Sequence, residues 1–600
     1  MSRAQCATRS PAPSGSLANV SSDVNQERPA DFNAEQRAQA WRRLGEEQFD
    51  VVVIGGGVVG VGSALDAATR GLRVALVEAR DIASGTSSRS SKMFHGGLRY
   101  LEQLEFGLVR EALAERELSL RLLAPHLVKP LPFLYPLTKR VWERPYVAAG
   151  LFLYDRMGGA KSVPGQRHVT RAGALRVAPS LRRDALVGGI RYYDTVVDDA
   201  RHSLTLARTA AQYGAVIRTS TQAVGFLTEA DRVMGVKLRD SETGALTQVR
   251  THSVINAAGV WTDEVQRLTG QRGHFRVRAS KGVHIVVPRD RIVSETAIIL
   301  RTPNSVLFVI PWETHWIIGT TDTDWNLDLA HPAATRKDID YILDRVNAEL
   351  VTELTHDDIE GVYAGLRPLL AGEDEATSAL SREHAVAAVA PGLVSIAGGK
   401  YTTYRVMAAD AVDAAAPFIP DRVAGSVTER VPLVGADGYY ALINQCEHLG
   451  ERFGLHPYRV RRLLNRYGSL LEEVLEPAAE DPSLLRPLAG APQYLRAEVL
   501  YAAAAEGALH VEDVLARRTR IAIEYSDRGA ESVREVAELI APVLGWDGPT
   551  VEWEVENYRA RVAAEIASQR EPDDESADAL RAAAPEARRE ILEPVPAPED

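Results

Sequence analysis

The chain of 600 residues has few cysteines, no surplus of positive charge and no long apolar run. Its two cysteines, Cys6 and Cys446, lie far apart in the sequence. This indicates neither a disulfide framework nor a cysteine metal site, and it suits a reducing cytoplasm. We therefore expect no disulfide and no bound metal.

The charge balance and the hydropathy pattern exclude further classes of protein. Asp and Glu (81) outnumber Lys and Arg (69), for a formal net charge of −12, which disfavours nucleic acid as a partner. No apolar run approaches the roughly 20 residues of a transmembrane helix, and the N-terminus lacks the apolar core of a signal peptide. With 45% hydrophobic residues the chain is typical of a globular protein, so we expect any membrane contact to be peripheral.

The segment FDVVVIGGGVVGVGSALDAATRGLRVALVEAR, Phe49 to Arg80, has the pattern of a dinucleotide-binding βαβ unit. The β-branched run before the glycines predicts a buried parallel strand, and Val58 to Thr69 predicts a helix rich in small residues. Three glycines in a G-x-G-x-x-G pattern allow the tight turn, the approach of a pyrophosphate and close helix packing, in the order Gly55, Gly57 and Gly60.

An acidic residue follows the second predicted strand of this unit, Arg73 to Val77. Glu78 lies about 20 residues after the glycines, where a carboxylate accepts hydrogen bonds from ribose hydroxyls and repels a 2′-phosphate. The unit therefore favours FAD or NAD over NADP.

Two later segments bear on the choice between those cofactors. Ser253 to Gly259 and Leu393 to Lys400 each read as a strand that ends in small residues, with Ala258 and Gly259 in the first and Gly398 and Gly399 in the second. Either segment alone is weak evidence, because a glycine pair after a strand is more often an ordinary turn. Together they suit an extended FAD held by separate parts of one sheet, since a nicotinamide site is normally completed more locally.

The predicted fold class is α/β, with an FAD-binding Rossmann-like βαβ domain, an antiparallel substrate-covering sheet and a C-terminal all-helical domain. Val306 to Pro311 and His315 to Thr320 predict a hairpin of the covering sheet, while Tyr458 to Tyr467 and Ser532 to Leu544 have helical spacing. The expected regions are a disordered tail with a short helix (1–45), the FAD- and substrate-binding region (46–425), the helical domain (430–568) and an acidic disordered tail (569–600).

Five further motifs resemble one known family. They are ASGTSSRSSKMFHGGLRYLE (Ala83 to Glu102), KGVHIVVP (Lys281 to Pro288), IIGTTDTD (Ile317 to Asp324), GLRPLL (Gly365 to Leu370) and GGKYTTYR (Gly398 to Arg405). In their sequence and order they resemble the FAD-dependent, aerobic-type glycerol-3-phosphate dehydrogenases from about Phe49 to Ala408. EDVLARRTR, Glu512 to Arg520, is similar to that family's C-terminal domain.

This resemblance implies an activity. Family members oxidise sn-glycerol 3-phosphate to dihydroxyacetone phosphate, reduce FAD and pass the electrons to a membrane quinone, while a related branch uses dioxygen. We therefore expect a quinone-linked enzyme of glycerol metabolism in the cytoplasm, peripherally associated with the inner face of the cell membrane. The acceptor, covalent attachment of FAD and the oligomeric state stay open, with a homodimer as one alternative.

The resemblance also implies site residues. For FAD these are Thr86, Ser87, Ser88, Ser91, Lys92 and Thr402, beside Gly55, Gly57, Gly60, Glu78, Ala258, Gly259, Gly398, Gly399 and Lys400. For the substrate they are Arg99, Tyr100, Thr321, Arg367 and Arg382. Cationic, fork-shaped donors suit a phosphate dianion, although arginines outside such motifs are usually surface residues.

Oxidation of a secondary alcohol requires a base for the hydroxyl proton, and histidine is the side chain best poised near neutral pH. His95 and His284 are the candidates because both lie in family motifs near the substrate; an isolated histidine is more often a hydrogen-bonded core residue. The sequence does not decide between them. Arg367 and Lys400 complete the predicted catalytic set, with Lys400 stabilising negative charge on flavin or substrate unless it faces solvent.

The best candidate membrane surface is Lys129 to Lys161. It interleaves cationic side chains with Trp142, Tyr146, Phe152 and Tyr154, a pattern that suits anionic headgroups and the bilayer interface. A buried helix with a cationic rim is the alternative, and the family's membrane association favours the first interpretation.

Three alternative functions remain at this point. A glycerol-3-phosphate oxidase would differ only in using dioxygen. An FAD-dependent amine or amino-acid oxidase would share the fold but needs one cation for a carboxylate, not an arginine cluster for a phosphate. A flavin-binding scaffold without turnover would bind FAD without being reduced by any substrate, and the set of candidate site residues argues against it.

Overall fold

The computed structural model describes residues 31–102, 104–139, 142–157, 162–184, 186–270, 276–302, 306–370 and 383–591. Strands in these residues form two large sheets and one hairpin. They are β1 (Gln48–Ile54), β2 (Val74–Val77), β3 (Met93–Phe94), β4 (Lys129–Leu137), β5 (Arg167–Thr170), β6 (Gly188–Val196), β7 (Val216–Arg218), β8 (Thr221–Glu229), β9 (Arg232–Asp240), β10 (Leu246–Asn256), β11 (Val277–Pro288), β12 (Ala297–Arg301), β13 (Val306–Trp312), β14 (His315–Gly319), β15 (Thr323–Trp325), β16 (Gly361–Leu370), β17 (His384–Ala390), β18 (Leu393–Gly398), β19 (Pro487–Leu488) and β20 (Ala491–Leu495).

The helices cover the sheets and form most of the C-terminal part. They are α1 (Ala34–Glu46), α2 (Val58–Thr69), α3 (Leu98–Glu102), α4 (Phe106–Leu118), α5 (Glu143–Met157), α6 (Arg171–Val177), α7 (Asp199–Gln212), α8 (Thr262–Arg267), α9 (Arg336–Asn347), α10 (Tyr404–Ala415), α11 (Tyr439–Ile443), α12 (Cys446–Phe453), α13 (Pro457–Tyr467), α14 (Leu471–Leu475), α15 (Arg496–Ala504), α16 (Ile521–Glu524), α17 (Val533–Leu544), α18 (Gly548–Ser568) and α19 (Asp574–Ala582).

The eight-stranded sheet contains the predicted βαβ unit. Its strands β18, β10, β1, β2 and β7 lie side by side and run parallel. All four residues of β2 and the last four of β1 are buried, because helices cover both faces of a parallel sheet. Small residues let α2 pack closely between α7 and α10. Since β1, β10 and β18 are neighbours, the small-residue turns after them meet at one edge of the sheet.

The ten-stranded sheet is mostly antiparallel and faces that edge. Its strands follow the order β15, β11, β14, β13, β12, β4, β6 and β3, with β16 paired to β11 and β5 to β6. The predicted hairpin is present as β13 and β14, with Phe308 opposite Gly319. Two buried apolar clusters pack on the two faces of this sheet.

The fold class is confirmed, with one addition. The C-terminal part is helical from α11 onward, and α13 and α17 each lie within one residue of the helices predicted there. The short hairpin of β19 and β20 was not predicted. The domain limits near residues 425 and 430 stay a prediction.

The chain after residue 568 differs from the predicted acidic disordered tail. Residues 569–591 form α19 and a segment that packs against the rest of the protein, where Ala577 is fully buried. Two of its acidic side chains form ion pairs with distant residues: Asp574 with Lys281, and Glu590 with Arg239. Long-range pairing of this kind leaves no local pattern, so composition alone gave the wrong expectation. Residues 592–600 lie outside the described part.

At the N-terminus the predicted short helix is present as α1, and the Asn33 side chain accepts a hydrogen bond from the Gln36 N–H at 2.9 Å. Residues 1–30 of the expected tail lie outside the described ranges. In the part of the chain that the structure describes, no helix combines the length and apolar character needed to cross a bilayer.

Candidate active site

The glycine turn after β1 is shaped by contacts that exclude side chains. Gly55 has φ +113°, and a Cβ there would lie 2.6 Å from the Ala257 carbonyl oxygen of the turn after β10. A Cβ on Gly60 would lie 1.9 Å from the Gly55 carbonyl oxygen, so only glycine lets α2 start this close to the turn. The Val58 N–H at the start of α2 donates to Ser87 Oγ at 2.9 Å. The turn therefore presents a helix N-terminus, which favours an anion.

Glu78 lies beside this turn at the end of β2. Its carboxylate accepts hydrogen bonds from the Gly56 N–H at 2.6 Å and the Arg80 N–H at 2.8 Å. Burial raises the pKa of the Glu78 carboxyl, and the two backbone donors oppose that rise. The side chain is thus fixed where a ribose is bound in a dinucleotide fold.

A cavity of about 2100 Å³ joins the glycine turn to the ten-stranded sheet. The predicted site residues that line it are Gly55, Gly57, Glu78, Thr86, Ser87, Ser91, His95, Tyr100, Ala258, Gly259, His284, Thr321, Arg367, Gly398, Gly399, Lys400 and Thr402. Residues from widely separated motifs therefore surround one space.

Three predicted cofactor residues do not line the cavity, and two predicted substrate residues are not fully described. Gly60 packs against Gly55, in line with its predicted role in close helix packing, and Ser88 lies behind the lining, where its carbonyl accepts from Lys92 Nζ at 3.0 Å. Lys92 is fully buried and pairs with Asp199 at 2.9 Å, so it stabilises the loop that carries Ser88 from the side away from the cavity. The backbone of Arg99 is in α3, but its side chain is not among those that the structure describes. Arg382 lies outside the described residues.

His284 is on the cavity face of β11. Its Nε2 is 2.8 Å from Ser91 Oγ, and its ring stacks on Tyr363 with a centroid distance of 4.8 Å. Burial, followed by the nearby charges of Arg367 and Lys92, holds the pKa of His284 well below its usual value. The lowered pKa favours the neutral form of this imidazole near pH 7.

His95 follows β3 and is held through its backbone. Its N–H donates to Thr402 Oγ1 at 3.2 Å, and its carbonyl accepts from the same hydroxyl at 3.3 Å. The next residue, Gly96, donates its N–H to the Tyr154 hydroxyl at 2.8 Å. Burial, then the charges of Lys400 and Arg116, lower the pKa of His95 to about 4. This second imidazole is also neutral near pH 7.

Arg367 is on β16 and extends over Gly282 of β11. Its Nη2 donates to Thr320 Oγ1 at 3.0 Å and to the Thr321 carbonyl at 3.2 Å, and its side chain is 25% exposed. A Cβ on Gly282 would lie 2.6 Å from Arg367 Nη2, so this glycine makes room for the guanidinium. Arg367 Nη1 also pairs with Asp322 Oδ1 at 3.4 Å, so the guanidinium is fixed at the cavity wall and shares that wall with a carboxylate.

Lys400 follows the glycine pair after β18. Its ammonium lies 3.4 Å from the centroid of the Tyr100 ring, a cation–π geometry that joins two predicted site residues. Together with Arg367 it places positive charge on the cavity wall.

The sequence did not indicate three side chains of this site. Thr320 Oγ1 accepts a hydrogen bond from Arg367 Nη2, whereas Thr321 Oγ1 accepts the Val283 N–H at 3.0 Å. Tyr363 is the stacking partner of His284, and Arg301 adds a cation at the end of β12. For Thr320 the available signal was its position beside Thr321 in IIGTTDTD. For Arg301 the sequence offered no signal, because β12 was not predicted.

Comparison with known proteins places this site in context. Residues 50–405 match the family described as "FAD dependent oxidoreductase", and residues 426–551 match "C-terminal domain of alpha-glycerophosphate oxidase". The chain is 75% identical over 561 residues to glycerol-3-phosphate dehydrogenase 2 of Mycobacterium tuberculosis (strain ATCC 25618 / H37Rv), covering 94% of this chain and 96% of that protein. It is 35% identical to the human mitochondrial glycerol-3-phosphate dehydrogenase, covering 90% of this chain and 76% of that protein.

One solved structure is similar over most of the chain. It is the glycerol-3-phosphate dehydrogenase from Bacillus halodurans complexed with FAD, with a TM-score of 0.73 and 30% identity. The similarity covers 88% of this chain and 98% of that one.

Proposed function

The chain belongs to the family of FAD-dependent glycerol-3-phosphate dehydrogenases, and from this premise we propose that it oxidises sn-glycerol 3-phosphate to dihydroxyacetone phosphate in the cavity described above. Its cofactor is FAD. When bound, FAD supplies the acceptor for the hydride that leaves C2 of the substrate. The observation that carries the proposal is that one cavity combines the glycine turn, two neutral histidines and Arg367.

The residues present fit FAD. The N-terminus of α2 suits a pyrophosphate, and the fixed Glu78 carboxylate suits ribose hydroxyls. The cavity of about 2100 Å³ exceeds the roughly 300–1,000 Å³ of ordinary small-molecule pockets, which leaves room for a dinucleotide and a substrate.

Arg367 binds the substrate phosphate in this proposal. Its guanidinium is oriented by Thr320 and Thr321 before a ligand arrives, and Arg301 lines the same cavity. A planar fork that is already fixed loses little freedom on binding a phosphate. This arrangement favours a phosphate ester over an unphosphorylated polyol.

His284 accepts the proton of the C2 hydroxyl. It shares one face of β11 with Gly282, above which Arg367 lies, so imidazole and guanidinium are about two strand residues, or roughly 7 Å, apart along the strand. That span suits a hydroxyl and a phosphate on neighbouring carbons. Ser91 and Tyr363 hold the ring in place, and the buried Nδ1 atom has no hydrogen-bond partner among the described residues.

Lys400 and His95 complete the set. The Lys400 ammonium is fixed over Tyr100 and stabilises negative charge that develops on the flavin or the substrate. His95 lines the cavity as a neutral hydrogen-bonding group beside it. Both act by positioning charge and donors, without a change of their own protonation.

The electron acceptor in this proposal is a quinone in a membrane to whose inner, cytoplasmic face the protein binds. Support comes from exposed aromatic side chains on and beside α5: Trp142 is 55%, Tyr146 50% and Phe152 53% exposed. Arg156 lies 5.1 Å from the Phe152 ring, which combines cationic and aromatic groups as at a bilayer interface.

A dioxygen-using oxidase is the second candidate. It is favoured by the match of residues 426–551 to the C-terminal domain of alpha-glycerophosphate oxidase. The two functions share every step at C2 and differ only in what reoxidises the flavin. Peroxide formed per substrate oxidised, with and without a soluble quinone, distinguishes them.

The test of the substrate is an anaerobic titration of the purified holoenzyme. We expect sn-glycerol 3-phosphate to bleach the visible flavin band, and glycerol and an amino acid to leave it unchanged. A band that stays yellow with the phosphate ester would overturn the substrate assignment, and bleaching by the amino acid would favour an amino-acid oxidase.

A further inference from the structure

Residues 571–591, here called the C-terminal strap, follow α18 and lie beyond the matched family domains, which end at residue 551. The strap runs from the helical domain to the eight-stranded sheet, and it contributes no strand to that sheet. Its start is fixed where the Arg336 N–H donates to the Glu571 carbonyl at 3.0 Å. Ala577 of α19 is buried in a cluster with Val260, Trp325 and Leu366.

The end of the strap is fixed beside the adenosine side of the dinucleotide fold. Arg588 Nε donates to Ser220 Oγ at 2.8 Å, and its Nη2 contacts both Asp513 carboxylate oxygens at 3.1 Å. The Glu590 N–H donates to the Ser241 carbonyl at 3.0 Å. Ser220 lies directly before β8, and its N–H in turn donates to the Arg80 carbonyl, two residues after Glu78.

Glu586 ties the strap to both walls of the cavity. Its Oε2 lies 3.1 Å from His331 Nε2 and 3.6 Å from Arg80 Nε. Arg80 and His331 both line the cavity, as does Glu586 itself. A single carboxylate therefore joins the ribose-binding loop, the loop before α9 and the strap.

Strap side chains are part of the cavity wall on this side. Arg581, Ala584, Arg588 and Ile591 line the same space as Glu78, Arg80 and Gln222. Since Glu78 marks the ribose, the strap faces the adenosine half of the cofactor, whereas the substrate groups His284 and Arg367 are on the other sheet. Among these, Ala584 and Ile591 are the small and apolar side chains, and they suit the flat face of an adenine ring.

We propose that the C-terminal strap forms the outer wall of the adenosine site and slows the release of FAD, with Glu586 as its clasp. A dinucleotide bound only by the eight-stranded sheet would leave its adenosine end open to solvent. The strap covers that end through residues that no matched family domain contains. The inference depends on FAD binding alone and is independent of the substrate and of the electron acceptor.

The direct test measures the release of FAD from holoenzyme into dilute buffer, with free flavin separated by ultrafiltration. A chain ending at Arg570 lacks the strap, and a chain ending at Ile591 is the matched control. We expect the first to release FAD at least about tenfold faster, the effect of losing about one charge-assisted hydrogen bond, and the second to match the full chain. Equal release rates in a folded strap-less protein would overturn the proposal.

A point variant decides the matter if the shortened chain does not fold. Glu586→Gln removes the charge of the clasp, and Glu552→Gln removes that of an exposed pair with Arg534 elsewhere in the helical domain. Faster FAD release in E586Q than in E552Q supports the proposal, and equal rates contradict it. In the full chain, hydrogen exchange of residues 571–591 should slow on FAD binding; exchange unchanged by FAD would also contradict it.

Discussion

Arg367 is oriented by the protein before any substrate arrives. Two hydrogen bonds from its Nη2, to Thr320 Oγ1 and to the Thr321 carbonyl, fix the guanidinium plane. The side chain remains 25% exposed, toward the cavity. Such a group contributes binding energy for a phosphate with little loss of side-chain entropy. Selectivity for the phosphate ester should therefore depend on this residue.

We expect Arg367→Ala to lower kcat/KM for sn-glycerol 3-phosphate by about 10²- to 10³-fold, because up to two charge-assisted hydrogen bonds of about 1.5–3 kcal/mol each are lost. FAD content should not change. Steady-state kinetics on FAD-loaded enzyme measures the effect, and Arg289→Ala, which removes a guanidinium stacked on Trp316 at 3.8 Å, serves as control. An unchanged kcat/KM in R367A would remove this residue from the phosphate site.

The two histidines should respond differently to the same substitution. His284→Asn should lower kcat by about 10²- to 10⁴-fold through loss of the base, and His95→Asn by less, since His95 only positions charge and donors. Burial lowers the pKa of both, that of His95 to about 4, so each stays neutral as the pH falls through 6.5. The acid limb of wild-type kcat/KM should then lie below pH 6.5. A limb at or above 6.5, or a larger loss in H95N, would contradict these roles.

The sequence was most informative for residues whose role is local. Gly55, Gly60 and Glu78 act through neighbours in one βαβ unit, so their spacing was sufficient to predict their place in the fold. Lys92 shows the limit: its motif indicates a cofactor contact, but its ammonium is paired with Asp199, more than 100 residues away. Partners at such separations leave no periodic signal.

At the scale of elements, α5 has two distinct faces. Val147, Leu151 and Tyr154 are buried, whereas Tyr146 and Phe152 are about half exposed. The buried Tyr154 hydroxyl accepts from the Gly96 N–H and donates to Asp194 at 2.7 Å. The helix that offers the candidate membrane surface thus also supports the loop that carries His95.

We expect the double variant Tyr146→Ser, Phe152→Ser to reduce binding to vesicles that contain anionic lipid by at least about tenfold, because two aromatic side chains no longer enter the interface. Vesicle co-sedimentation measures this. Tyr213→Ser, Tyr458→Ser removes two rings that are 49% and 53% exposed on other surfaces and should bind as the wild type does. Equal binding by both variants would move the docking surface away from α5.

Elements were predictable where a pattern repeats within them. The predicted bounds of α2 agree with the structure, since small residues and flanking glycines define both ends. The helix α19 was missed because its buried face consists of Ala577 in an otherwise charged segment. Its burial depends on Lys281 and on the cluster around Trp325, which come together only in the folded chain.

For the whole molecule, buried ion pairs join the helical domain to the FAD region. Arg518 contacts both carboxylate oxygens of Asp81 at 2.6 and 2.7 Å, and Arg517 contacts the same residue at 2.6 Å. Asp81 lies three residues after Glu78. The arginines of the EDVLARRTR motif are therefore structural ties behind the cofactor site, a role that the sequence could not distinguish from surface exposure.

His510 also joins the helical domain to the FAD region, through ion pairs that depend on its protonation. Its Nδ1 lies 2.7 Å from Glu554 of α18, and its Nε2 lies 3.1 Å from Glu242 at the turn between β9 and β10. Burial alone would lower the pKa of His510, as would Arg588 nearby, but the two carboxylates raise it to about 10. The folded protein therefore keeps a proton on this histidine that the unfolded chain loses near pH 6.5.

Because the folded-state pKa is the higher one, the stability from this proton is fully present below about pH 6.5 and is lost as the pH rises towards 10. We expect wild-type protein to exceed His510→Gln in stability by on the order of 2–4 kcal/mol at pH 6, with the gap narrowing by pH 9.5. Thermal unfolding of both at several pH values measures it, with His356→Gln, an exposed histidine beside Asp340, as control. A gap that stays constant with pH would show that His510 acts by packing, not by its charge.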